Sequence, residues 1–92
     1  MTYEEARTIV IEEIETIAPD VAPVAIGDAE DVREALDLDS MDIYNLIAAL
    51  HMRLEIDIPD RDAAQFVTIG GAARWLEEHA ARHRAGSAQG SD

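Results

Sequence analysis

The run Asp37-Leu38-Asp39-Ser40-Met41-Asp42 sets one hydroxyl among three carboxylates at the point where a loop turns into a helix. A serine at such a junction ordinarily caps the helix through its side-chain oxygen. Here Asp39 can do the capping, which leaves the Ser40 hydroxyl free in the first turn. That position suits a phosphodiester, because first-turn N–H groups lack intrahelical partners and the helix end carries partial positive charge. Asp39 and Asp42 would repel a phosphate. The site therefore reads as an exposed attachment point whose flanking charge attracts a basic enzyme, not as a tight anion pocket.

Other chemistry is poorly supported. The same aspartates fail as a calcium loop: counting from Asp37, the sixth position is Asp42 instead of glycine and the twelfth is Ala48 instead of glutamate. Only weak, non-specific divalent-ion binding is left to them. His79 and His83 are one helical turn apart, but no third metal ligand accompanies them. Histidines near a helix C-terminus also complement its dipole. His51 reads as a solvated surface histidine. There is no cysteine, no nucleophile–base–acid set and no glycine-rich phosphate loop, so the chain does not read as an enzyme.

The helix that presents Ser40 should run to Leu54, with Asp39 as N-cap. At about 100° per residue, Ile43, Leu46, Ile47, Leu50 and Leu54 form a core stripe. Met41, Tyr44, Ala48 and Met52 form a second apolar stripe on nearly the opposite side. A helix in so small a domain rarely buries both sides, so the second stripe is expected to be exposed and to dock partners. Methionine suits such a surface because it is flexible and polarisable. The plainer alternative is that Tyr44 and Met52 fold over the neighbouring loop.

Three further helices should hold this one in place. The first runs from about Thr2 to Ala18. Thr2 and Glu5 fit a capping box, Tyr3, Ala6, Val10, Ile14 and Ile17 share a face, and Pro19 ends it. A long loop, 20–38, is pinned to the core by Val21, Val24, Ile26 and Leu36, with a helical turn over Val32–Leu36. A short third helix runs from Asp60 to about Gln65. The fourth starts after Thr68, buries Ile69, Ala72, Ala73, Leu76 and Ala80, and ends near Arg82. Gly70 and Gly71 each cost about 1 kcal/mol relative to alanine and predict a frayed start. Residues 84–92 read as a disordered tail beyond a single domain over 1–83. The expected fold is all-α, a small four-helix bundle.

Twenty Asp and Glu face seven Arg and no Lys, for a net charge of −13. This opposes binding to nucleic acid or anionic membrane, which needs cations against phosphates. Nearly half of the residues are apolar and periodic, so the chain is not a disordered acidic tail. No apolar run is long enough to span a membrane, and the N-terminus lacks the features of a signal peptide; the expected compartment is the cytoplasm.

Asp39-Ser40-Met41-Asp42, the helix after it, Ile56-Asp57-Ile58-Pro59-Asp60, and the stretch from Phe66-Val67-Thr68-Ile69 to Trp75 closely resemble the acyl carrier proteins of fatty acid and polyketide synthesis. Those proteins have an Asp-Ser-Leu motif, a second helix and an Ile-Pro-Asp turn at this distance. The resemblance covers about Tyr3 to His83. It implies that Ser40 receives 4′-phosphopantetheine from coenzyme A through a phosphopantetheinyl transferase, and that acyl groups ride on the arm's thiol as thioesters. It implies that Asp39 helps present the serine, that Met41 stands at the leucine position, and that the helix recognises acyl ligases, ketosynthases or acyltransferases. It also implies a freestanding, monomeric carrier.

One departure is informative. Fatty acid carriers usually have several glutamates along this helix. Here it has Asn45, His51 and Arg53, and after Asp42 the next acid is Glu55. That points to a dedicated carrier in a polyketide, lipid-modifying or other specialised pathway. The aspartate before Ser40 fits acyl carriers better than peptidyl carriers, which commonly have histidine there. A competing function is a non-covalent helical adaptor that docks through the same helix while Ser40 is only structural.

Overall fold

The computed structural model describes the backbone of residues 1–91 and the side chains of residues 1–80. Helix α1 is Tyr3–Ile17, α2 is the short Val32–Ala35, α3 is Ser40–Leu54 and α4 is Ile69–Ser91. Two 3₁₀ segments, Pro23–Ala25 and Asp60–Val67, complete the order. The bundle is all-α and has no named strand among the described residues.

Local signals start the helices where expected. At α1 the Thr2 hydroxyl accepts from the Glu5 N–H at 3.1 Å, and the Glu5 carboxylate accepts from the Thr2 N–H at 2.8 Å. The short third helix is wound as 3₁₀, with the Asp62 N–H donating to the Pro59 carbonyl at 2.9 Å, and continues to Val67 instead of stopping at Gln65. The backbone of α4 is helical through Ser91 instead of ending near Arg82. Ala81, Arg82, Arg84 and Ala85 all favour helix, and no proline interrupts them. The tail expected over 84–92 falls on residues whose side chains lie outside the described ones.

One apolar core joins the elements. Ala6, Val10 and Ile14 of α1 meet Ile43, Leu46 and Leu50 of α3 and Ile69, Ala72, Ala73, Leu76 and Ala80 of α4. The alanines let α4 lie close against α1, its most extensive neighbour. Trp75 and Phe66 fill the end near the 3₁₀ segment, with ring centroids 5.4 Å apart. The Trp75 indole N–H, the one polar atom of this large buried side chain, donates to Asp62 at 3.0 Å.

The long loop is held differently from the expectation. Val21, Ile26 and Leu36 do pack on the core, but Val24 is 65% exposed and Pro23 is buried in its place. Pro23 opens the 3₁₀ turn facing inward, so its neighbour faces out. The main fastening is polar. Asp28 accepts from the Tyr3 hydroxyl at 2.6 Å and from Arg7 Nε at 2.8 Å, while its carbonyl accepts from the Gly70 N–H at 2.9 Å.

That last contact explains the paired glycines. A Cβ on Gly70 would sit 2.9 Å from the Asp28 carbonyl oxygen, and one on Gly71 would strike the Gln65 carbonyl. The expected frayed start of α4 is therefore a tightly closed junction. Thr68 caps it, its hydroxyl accepting from the Gly71 N–H at 2.9 Å.

Candidate functional site

The chain enters α3 through a sharp reversal. After α2, Asp37 takes a left-handed conformation (φ 57°), and the Leu38 N–H reaches back to the Arg33 carbonyl at 3.1 Å. This six-to-one bond is the Schellman arrangement that commonly closes helices, here with aspartate where glycine is usual. Short polar side chains tolerate that conformation better than others do. The reversal delivers Asp39 in extended backbone, ready to cap.

Asp39 and Asp42 then cap reciprocally. The Asp39 carboxylate accepts from the Asp42 N–H at 3.0 Å, and the Asp42 carboxylate accepts from the Asp39 N–H at 3.1 Å. Ser40 is the first residue of the helix and is exposed. Among the described residues its hydroxyl has no hydrogen-bond partner. Capping by Asp39 is thus as the sequence predicts; the reciprocal role of Asp42 adds to it.

Beside Ser40 lies a groove of about 150 Å³ between α3 and the 3₁₀ segment, lined by Arg33, Ser40, Ile43, Tyr44, Ala63, Ala64 and Val67. Ile43 forms a buried floor, and the small Ala63 and Ala64 leave the space open. The wall opposite α3 was not apparent from the sequence because it comes from a segment far from Ser40 along the chain, and Arg33 was not because the reversal at Asp37 sets where α2 lies against α3. Arg33 is fixed by Asp31, whose carboxylate accepts from Nε at 3.1 Å and from Nη2 at 2.7 Å. The same hydrogen bonds hold the Asp31 carboxyl below the usual carboxylate range.

The second stripe of α3 is uncovered. Met41 is 66%, Tyr44 50% and Met52 78% exposed, and Ala48 between them is exposed as well. Tyr44 also borders the groove, whereas Ala48 and Met52 lie farther along the helix and do not. Arg53 is drawn off to α1, donating to Glu12 and Glu13 at 2.8 Å each. His51, exposed beside the stripe, uses Nδ1 to donate to the Ile56 carbonyl at 2.8 Å, which ties the end of α3 to the next segment.

His79 stacks on Trp75 with centroids 4.0 Å apart and donates from Nδ1 to the Trp75 carbonyl at 2.9 Å. The side chain of His83 lies outside the described residues. Among the described residues no group of three or more His, Cys, Asp or Glu could hold a metal, and no helix is long and apolar enough to cross a membrane.

The residues at this site fit covalent attachment of phosphopantetheine: a hydroxyl that is exposed, relieved of capping, and next to an open groove. Residues 8–76 match the family described as the phosphopantetheine attachment site, a span that runs from α1 into α4 and includes Ser40. The acyl carrier protein of Helicobacter pylori (strain J99) is 31% identical over 77 residues, covering 84% of this chain and 92% of that protein. That of Campylobacter hominis is 32% identical over 75 residues, covering 82% of this chain and 89% of that protein. That of Wolinella succinogenes is 28% identical over 75 residues, covering 82% and 92%. No solved structure matches. A family match across most of the chain, to relatives of nearly its own length, means that this chain belongs to the acyl carrier proteins, whose members carry acyl groups with phosphopantetheine and do not catalyse.

Proposed function

We propose that this chain carries acyl groups on a phosphopantetheine arm joined to the Ser40 oxygen, in a specialised acyl pathway, and works as a monomer. The observation that carries the reading is the Ser40 hydroxyl itself, exposed and without a hydrogen-bond partner among the described residues at the first turn of α3. On attachment the oxygen gives up its proton and bonds to the phosphorus of the phosphopantetheine moiety, while the nucleotide portion of coenzyme A leaves. The arm, once bound, supplies a thiol for thioester chemistry.

The chain's own residues do the rest. Asp39 and Asp42 close the helix start so that Ser40 need not. Asp37, Asp39 and Asp42 mark the attachment point for a basic transferase. Met41, Tyr44, Ala48 and Met52 offer an apolar strip to the enzymes that load or remove acyl groups. The apolar part of the groove, Ile43, Ala63, Ala64 and Val67, can shelter part of a short cargo. Tethering raises the cargo's effective concentration at whichever enzyme docks.

A specialised pathway rather than general fatty acid synthesis is supported by the scarcity of acids on the exposed face of α3. The single carboxylate early in the helix, Asp42, is engaged in capping.

The test is intact-mass measurement after incubation with coenzyme A and a broad-specificity phosphopantetheinyl transferase. The reading expects one added phosphopantetheinyl group. A chain that gains nothing under conditions that load a control carrier would be a non-covalent helical adaptor instead.

A further inference from the structure

We propose that Arg33 is the positioning residue for the arm: its guanidinium binds the phosphodiester at Ser40 and lays the arm's first atoms along the groove floored by Ile43. This rests on Ser40 being the attachment point.

A phosphodiester joined to Ser40 adds a negative charge to a neighbourhood that is already acidic. Asp39 and Asp42 flank the serine, and Asp37 is close in sequence, so a phosphate there meets repulsion from its own helix start. One of the first-turn N–H groups, that of Asp42, is already taken by Asp39. Among the residues that line the groove with Ser40, Arg33 is the cation. Arg7, paired with Asp28, and Arg53, paired with Glu12 and Glu13, do not line the groove.

Arg33 is also prepared for the task. Asp31 holds it by the Nε–Nη2 edge, and the Arg33 N–H donates to the same carboxylate at 2.8 Å. That fork fixes the plane of the guanidinium and leaves its Nη1 hydrogens without a partner among the described residues. A planar donor set held on one side and open on the other is well suited to a phosphate, where lysine would act only as a point charge. The Asp31–Arg33 pair is too exposed, at 23% and 44% of the respective side chains, to contribute much to stability by itself. Its geometric effect is to hold the guanidinium in one orientation.

The experiment compares apo and loaded protein by NMR, in wild type and Arg33→Gln. Intact mass first establishes that each sample carries one phosphopantetheinyl group; if wild type does not load, it is the reading of Ser40 that fails. In loaded wild type the Arg33 Nε–H resonance is expected to move relative to the apo protein. The phosphorus resonance of loaded Arg33→Gln is expected to differ from that of loaded wild type. An Arg33 Nε–H resonance that stays put on loading overturns the contact, as does a phosphorus resonance that is the same in both proteins. Arg33 is on the surface and outside the core, so Arg33→Gln should fold; its amide spectrum in the apo state checks this directly.

Discussion

A single hydroxyl depends on its neighbours for its freedom. Asp39 takes the capping role that serine would otherwise fill, and Asp42 returns the hydrogen bond. Asp39→Ala removes the better cap and should lower stability by about 1 kcal/mol. It also invites the Ser40 oxygen to turn inward as a substitute cap, so transferase loading should slow beyond what the stability loss explains; denaturant unfolding and loading rates measured together separate the two. Asp37, held left-handed two residues before the cap, is a strained position for any residue with a side chain. Asp37→Gly should raise stability by up to about 1 kcal/mol in the same unfolding assay, leaving the start of α3 unchanged. The Asp39–Ser40 division of labour was legible in the sequence because caps are local; the return hydrogen bond to the Asp42 carboxylate was not, since glutamate or glutamine is the usual partner at that position. The left-handed Asp37 was not legible, since aspartate does not announce that conformation as glycine does.

At the scale of one element, α3 buries one face and leaves another exposed. Leu46 and Leu50 are buried, while Met52, on the same helix, is 78% exposed. Leu46→Ala should cost about 2–5 kcal/mol, the usual range for emptying a core site. Met52→Glu should change stability by no more than about 0.5 kcal/mol, yet raise the KM of enzymes that acylate the loaded carrier. Equal KM values for wild type and Met52→Glu would remove that end of the stripe from the docking surface. Periodicity disclosed both faces, because a helical rotation of about 100° per residue fixes angular position regardless of tertiary context. It could not disclose the groove beside Ser40, which is lined by Ala63, Ala64 and Val67 of the second 3₁₀ segment and by Arg33.

For the whole molecule, the long loop is a strap over the bundle, and Asp28 is its fastening. It joins α1 through Tyr3 and Arg7 and reaches the first turn of α4 through Gly70. The Tyr3 hydroxyl, followed by Arg7, holds the Asp28 carboxyl below its ordinary range, and the same hydrogen bond holds the Tyr3 hydroxyl above its own. The folded chain therefore binds fewer protons at Asp28 than the unfolded chain does. This contribution is complete above the ordinary aspartate pKa of about 3.9 and fades as the pH falls through the lower folded value. Asp28→Asn should cost about 1–2 kcal/mol at neutral pH, and its deficit relative to wild type should shrink in acid; unfolding curves at several pH values check both. The Asp28 contacts span more than twenty residues, so no local pattern could reveal them. The apolar expectation for the same loop failed at Val24 for a related reason: which of two adjacent residues faces inward was set by the turn at Pro23.

Whether the Ser40 oxygen bears the arm is decided by site-resolved mass spectrometry. Protein loaded by a phosphopantetheinyl transferase is digested and fragmented, alongside Ser40→Ala treated identically. The added group is expected on the peptide that contains Ser40, on the serine itself, with no addition to Ser40→Ala. A modification mapped to any other residue, or one that persists in Ser40→Ala, would contradict it.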